Sequence, residues 1–312
     1  MRKMFKKDGE KKRFLKLLIK SFRVYSIPYM VMVCLVGLFL VHPFPHFTDI
    51  LAFSLIATFC WIGGMLYYDV SHADEDLVKK PNRLIPTFPQ IKKKIIVLSV
   101  AFFILASLII FKVNLIKGII FVSVGLSIMP LYSFFKKRLV LKGKYVVRGL
   151  GGVLLVLLAP FILSKFTFEL FLVSVSIFFL DVAGNIAGDI RDWKIDGYTS
   201  VVRHWGIKKT KILKFIFASG GIILLFVVLI LLRNNMQFFI VLTLTYLFIE
   251  LFLLRVRMEF THRGFILLKT TLLLILIFFL VSLPPVILTI ILPLILFVNY
   301  SYKTTHPEFE IL

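Results

Sequence analysis

Ten apolar runs, each close to the roughly 20 residues a helix needs to cross a bilayer, follow one another with short polar segments between them. They are Ser26–Val41, Thr48–Tyr67, Ile95–Phe111, Gly118–Ser133, Val146–Leu163, Phe168–Gly188, Leu213–Leu232, Gln237–Leu254, Phe265–Val281 and Val286–Tyr300. The pattern predicts an all-α fold, a polytopic membrane helical bundle of nine or ten transmembrane helices. The last two runs flank Pro284 and Pro285 and fit either a bent hairpin or one long kinked helix, which leaves the number open. No linker-like segment divides the chain. One membrane domain, 26–300, is expected between a basic N-terminal tail, 1–25, and a short C-terminal tail, 301–312.

Charge orients this bundle. The N-terminal tail, with ten basic residues before Tyr25, and the segments around Lys79–Arg83 and Lys92–Lys94, Lys136–Arg138, Arg203–Lys211 and Arg255–Arg263 are basic, whereas HPFPHFTD, SKFTFE and RNNM are nearly charge-free. The positive-inside rule puts the basic set in the cytoplasm. A multi-pass integral protein of the cell membrane with a cytoplasmic N-terminus is expected. Composition agrees: 59% of residues are hydrophobic and the mean hydropathy is +0.96. The 38 Lys and Arg against 16 Asp and Glu, a net +22, would suggest nucleic acid in a soluble protein. Here they lie in short loops, where anionic lipid headgroups account for them, and no aromatic-basic motif of a nucleic-acid binder is present. Cys34 and Cys60 lie in apolar runs without metal spacing and read as packing residues. The basic N-terminal stretch lacks a small-residue cleavage site, so the first span is expected to be retained.

Against this background, two polar stripes stand out. Asp69-x-x-His72-x-x-x-Asp76 and Asp189-x-x-Asp192-x-x-x-Asp196 each fall where an apolar run meets a basic loop, and steps of three and four keep each set on one helix face. Both fall on the predicted cytoplasmic side, so facing each other they would make one acidic cavity. In DVAGNIAGDIRDWKID the second face extends through Asp181 and Asn185 into the span. Carboxylates at membrane depth are costly and mark function by default. Clustered like charges call for a cation, and oxygen-only ligands suit Mg²⁺ shared with substrate phosphates. The bland alternative pairs Asp189, Asp192 and Asp196 with Arg191, Lys194 and Arg203, which leaves Asp181 and Asn185 unexplained. In the first stripe Asp74 and Glu75 add negative charge, and Lys80 and Arg83 follow at once. Carboxylates beside fixed cations are what a diphosphate site needs, Arg taking phosphate oxygens with its planar fork. A solvated helix end with a Pro-bounded turn is the competing reading.

The segment KPNRLIP, Lys80 to Pro86, directly after an acidic helix end, resembles the KPxRPIP segment of the UbiA-type intramembrane prenyltransferase superfamily, where it follows an NDxxDxxxD motif. DIRDWKID resembles the family's second Asp-rich motif, and LYSFFKKR its Tyr-Ser and basic segment after the fourth span. The likeness covers most of the chain. The family pattern places its Asn at Tyr68, its next Asp at Asp69, its central Asp at His72 and its last at Asp76, so two of four positions depart. His72 is a poor Mg²⁺ ligand beside a carboxylate, and Tyr68 offers no amide oxygen. After Asp196 the chain also runs to Gly197-Tyr198-Thr199 by a shorter path than the family's.

The resemblance implies about nine helices around a central cavity with a lateral opening to lipid. Mg²⁺ and basic side chains would hold an isoprenyl diphosphate, diphosphate would leave, and the prenyl group would pass to an aromatic or lipid acceptor. Asp69, Asp76, Asp189 and Asp192 are the expected catalytic carboxylates. His72, Lys80, Arg83, Lys144, Arg148 and Arg191 are expected on the diphosphate. Asp69, Asp76, Asn185, Asp189, Asp192 and Asp196 are the expected metal ligands. A terpene cyclase of the same family, which traps the cation intramolecularly, is the nearest alternative. A transporter, or an isoprenoid-binding relative without catalysis, is the reading from another class. Glu250 and Lys269, at similar depth from one basic loop, are expected to pair with each other.

Overall fold

The computed structural model describes residues 8–137, 141–196, 201–233, 236–255, 258–281 and 288–305, and every regular element among them is helical. A basic helix, α1 (Asp8–Ser21), lies in the segment expected as a tail. It is followed by α2 (Ile27–Val41), α3 (Phe47–Ser71), two short helices α4 (Ala73–Lys79) and α5 (Leu84–Thr87), α6 (Lys92–Val113) and α7 (Leu115–Lys137). Then come α8 (Leu141–Leu163), α9 (Phe168–Asp196), α10 (Val201–Arg233, interrupted at Gly206), α11 (Met236–Arg255), α12 (Met258–Val281) and α13 (Leu288–Thr305). All ten apolar runs fall within helices. Eight stretches of the described residues are long and apolar enough to cross a membrane. The segment around Pro284 and Pro285 lies outside the described residues.

Local chemistry sets the helix ends. Pro28 opens α2, where its missing N–H costs nothing. At the start of α3, Asp49 accepts the backbone N–H of His46 at 3.3 Å, closing a capping box. Between α6 and α7 the turn needs little more than Asn114, whose side-chain oxygen accepts the Lys117 N–H.

At the centre stands α9, packed on α8, α10 and α12, while α2 crosses α3, α8 and α12. One core runs through them from Tyr29 and Val33 to Val173, Ile177, Leu225 and Leu272. Gly37 makes the α2–α8 crossing close: a Cβ there would come within 1.9 Å of the Val156 carbonyl oxygen. By contrast α6 and α7 lie at the edge, with 22% and 11% of their apolar stretches buried against 61% for α9. Much of their surface is left for lipid.

Two expectations are corrected. The first stripe is not on one continuous helix, because α3 ends at Ser71 and His72 is the joint before α4. The His72 ring turns back instead of projecting with the face, its Nδ1 lying 3.0 Å from the Tyr68 carbonyl and 2.9 Å from the Ser71 hydroxyl. Nor do Glu250 and Lys269 pair. Lys269 on α12 faces α9 and reaches Asp181 at 3.0 Å, whereas Glu250 on α11 faces α10 and takes Lys214. Equal depth fixes position along a helix but not the direction in which the side chain points.

Candidate active site

The basic loops, the ends of α3 and α9 and the starts of α8 and α12 meet at one end of the bundle, around the mouth of a cavity of about 270 Å³. Its polar wall carries seven Lys or Arg side chains, Arg23, Lys80, Arg83, Lys144, Arg148, Arg191 and Lys269, against three carboxylates, Asp181, Asp189 and Asp192. With His262 neutral, these groups leave the cavity at +4. From this end it runs inward between α3, α6, α7 and α8, past Met65, Phe103 and Met129, to Ile110, Phe121 and Leu155. A charged head and an apolar tail therefore share one space.

The second stripe holds as a continuous face of α9. Asp189, buried, accepts from Lys144 Nζ at 2.6 Å and from the Tyr145 hydroxyl. Asp192, also buried, takes a two-pronged bond from Arg191, Nε to Oδ1 at 2.6 Å and Nη2 to Oδ2 at 2.9 Å, and a third from Lys80 Nζ at 2.9 Å. Charge-assisted bonds of this length fix the cations as firmly as the carboxylates. Arg191 also lies 3.0 Å from His262 Nδ1 and donates to the Tyr302 hydroxyl at 3.3 Å. Asn185, one turn deeper, lines the cavity, and its Nδ2 has no hydrogen-bond partner among the described residues. One turn deeper again, Asp181 meets Lys269, whose ammonium sits 3.5 Å from the centre of the Tyr29 ring. The Asp196 side chain lies outside the described residues.

The first stripe behaves differently. Asp69 and Asp76 are buried but stand behind the cavity wall, bound to the loop that follows them. Arg83 reaches Asp76 at 2.7 Å and Asp69 at 3.8 Å. Burial by itself would lower the pKa of this guanidinium, but the two carboxylates outweigh burial and hold it above its ordinary value. His72 is buried off the cavity, stacked on Tyr68 with ring centres 4.3 Å apart. Tyr68 itself reaches the cavity.

Two further residues belong to the site. Arg23 sits at φ 49°, ψ 53°, a left-handed conformation costly for a non-glycine residue, and this brings its guanidinium over the Tyr68 ring at 4.9 Å and within 3.7 Å of Asp69. One of ten cations in the N-terminal segment, it carried no distinguishing signal. His262 is the other, placed by α12. Arg148, as expected, lines the cavity. Its guanidinium lies 5.0 Å from the Trp61 ring and forms no ion pair among the described residues.

The expected Mg²⁺ ligands are not gathered. Among the described residues no three His, Cys, Asp or Glu side chains converge on one point. Asp69 and Asp76 are turned to Arg83, Tyr68 presents a ring face, and Asp189 and Asp192 are engaged by Lys144, Arg191 and Lys80. A hard dication seeks oxygen donors in excess of nearby positive charge. This donor set does not fit one.

Three solved structures share the fold. A UbiA homolog from Archaeoglobus fulgidus bound to GPP and Mg²⁺ has a TM-score of 0.61 and 16% identity, over 87% of this chain and 100% of that one. The same homolog bound to DMAPP and Mg²⁺ gives the same figures. A digeranylgeranylglyceryl phosphate synthase matches at TM-score 0.58 and 16% identity, over 86% of this chain and 99% of that one. At that identity the likeness speaks for the fold alone. A search of curated protein sequences finds no match. The profile of the UbiA prenyltransferase family matches residues 30–266, from α2 into α12 and across both Asp-bearing segments. An integral multi-pass membrane protein with this bundle and this polar-headed cavity, the chain belongs to the UbiA prenyltransferase family.

Proposed function

We propose that the protein binds an isoprenyl diphosphate with its diphosphate among the cations of the mouth and its chain between α3, α6, α7 and α8, and transfers the prenyl group to an aromatic or lipid acceptor. The observation that carries this reading is the cavity itself, which passes from seven Lys and Arg side chains to an apolar interior without leaving the bundle. The solved UbiA homolog binds GPP or DMAPP, molecules of that two-part shape.

Transfer begins as the allylic C1–O bond breaks and its electron pair leaves with the diphosphate. Lys80, Lys144, Arg148 and Arg191 stabilise the charge that develops on the leaving oxygen, in a site that largely excludes water. The allylic carbocation is sheltered by ring faces on the same wall, Trp61, Tyr68 and Tyr132. The acceptor's nucleophilic atom then bonds to C1 and its proton is lost. The Mg²⁺ of the neighbouring structures has no matching donor set here, and no step is assigned to it. By the loop charges, the mouth faces the cytoplasm.

The altered first motif keeps one second reading open, a cyclase that closes the cation on its own chain. Purified protein in lipid nanodiscs, given labelled C10, C15 and C20 diphosphates with a membrane-lipid extract, tests both. Release of diphosphate coupled to a labelled lipid product supports transfer. A volatile hydrocarbon or alcohol formed without acceptor supports the cyclase instead, and no turnover together with no binding overturns the reading.

A further inference from the structure

We infer that this chain holds the diphosphate with fixed cations in place of divalent metal, and that Asp189 and Asp192 serve as counterions of that clamp. The inference rests on the reading that the ligand is an isoprenyl diphosphate, and concerns how its head is held. The polar wall is net positive before any ligand arrives. A cavity at +4 attracts a diphosphate directly and repels a dication.

The individual contacts agree. Lys144 is seated by Asp189, and Lys80 and Arg191 by Asp192, at 2.6 to 2.9 Å. To ligate a metal, either carboxylate would have to release these partners inside a buried site. Arg148, stacked on Trp61 and without a carboxylate partner among the described residues, is the cation most available to an incoming anion. At Tyr68 the wall offers an aromatic face covered by the Arg23 guanidinium, so positive charge is already installed beside the first stripe. Arg23 is anchored there by Asp69, and Arg83 by Asp69 and Asp76. All four of these carboxylates thus act on cations, and none is presented for an ion. An arginine fork also supplies paired donors to phosphate oxygens, which a metal ion does by coordination.

The test is binding of geranyl thiolodiphosphate, a slowly cleaved probe, to the full chain in nanodiscs, in EDTA and in excess Mg²⁺. We expect equal affinity within about threefold in the two conditions. Arg148→Gln should weaken binding about 10- to 100-fold in both, the loss of a charge-assisted contact. Asp192→Asn should retain binding in EDTA within about threefold, and a thermal melt of each variant verifies that it is folded. Binding that requires Mg²⁺, or that Asp192→Asn loses only when Mg²⁺ is present, overturns the clamp and leaves the prenyl diphosphate reading intact. No binding in either condition by folded wild-type protein overturns that reading itself.

Discussion

The ion pair between Lys214 and Glu250 joins α10 to α11 away from the cavity, and removing one partner should cost far more than removing both. Neither side chain has exposed surface, and Lys214 Nζ donates to Glu250 Oε1. Glu250 Oε2 has no hydrogen-bond partner among the described residues, and the ammonium lies 4.7 Å from the Phe265 ring centre. Lys214→Met leaves a buried carboxylate with neither solvent nor counterion, at a cost of about 3–5 kcal/mol. Glu250→Leu strands the ammonium, but the Phe265 face recovers about 1–2 kcal/mol, so about 2–4 kcal/mol is expected. With Met and Leu together the site becomes apolar at similar volume, and the double variant should lie near wild type or above it. At roughly 2 °C per kcal/mol for a chain of this size, Lys214→Met should lower the detergent melting temperature by roughly 6–10 °C. Thermal denaturation of the four proteins in one detergent measures the coupling. Additive losses would refute the pairing. So would coupling of Glu250→Leu to Lys269→Met, which the structure places beside Asp181 instead.

Other outcomes follow from single contacts. Gly125 lines the apolar part of the cavity with nothing within 4 Å of its would-be Cβ, so Gly125→Leu should displace about one five-carbon unit, roughly 3 kcal/mol or a hundredfold against longer chains relative to C10 in competition assays. Gly37→Val should drive α2 off the Val156 carbonyl and cost at least about 2 kcal/mol by thermal denaturation, since that neighbour is backbone. Arg83→Ala removes the 2.7 Å bond to Asp76 and should cost about 1–3 kcal/mol. Because Asp69 and Asp76 hold this guanidinium above its ordinary pKa, its contribution is present at every pH below that value and fades only as pH rises past it. The difference between wild type and Arg83→Ala in melting temperature should therefore stay level from neutral into alkaline buffer.

Apolar runs announced the helices because hydropathy is a one-dimensional property, and the α9 stripe was equally legible, since five polar residues at steps of four, four, three and four can share only one face. The first stripe had the same spacing, but the His72 ring engages the Tyr68 carbonyl at the point where α3 gives way to α4, a local competition that periodicity does not register. Partners across helices were beyond the sequence. Lys269 and Glu250 could be placed by depth, yet which neighbour each faces depends on how α9 to α12 are rotated. Arg23 was hidden for another reason: its left-handed backbone, not its residue type, sets it apart from the cations around it.

The marginal position of α6 and α7 has a consequence for how such an enzyme would be supplied. These two helices, mostly bare to the bilayer, also form one wall of the apolar end of the cavity. An isoprenoid dissolved among acyl chains gains about 0.8 kcal/mol per methylene by partitioning there, so its abundance in bulk water falls to a trace. Occupancy would then follow the substrate's mole fraction in the lipid, and diluting the membrane with inert phospholipid would slow the reaction even at constant total substrate and protein.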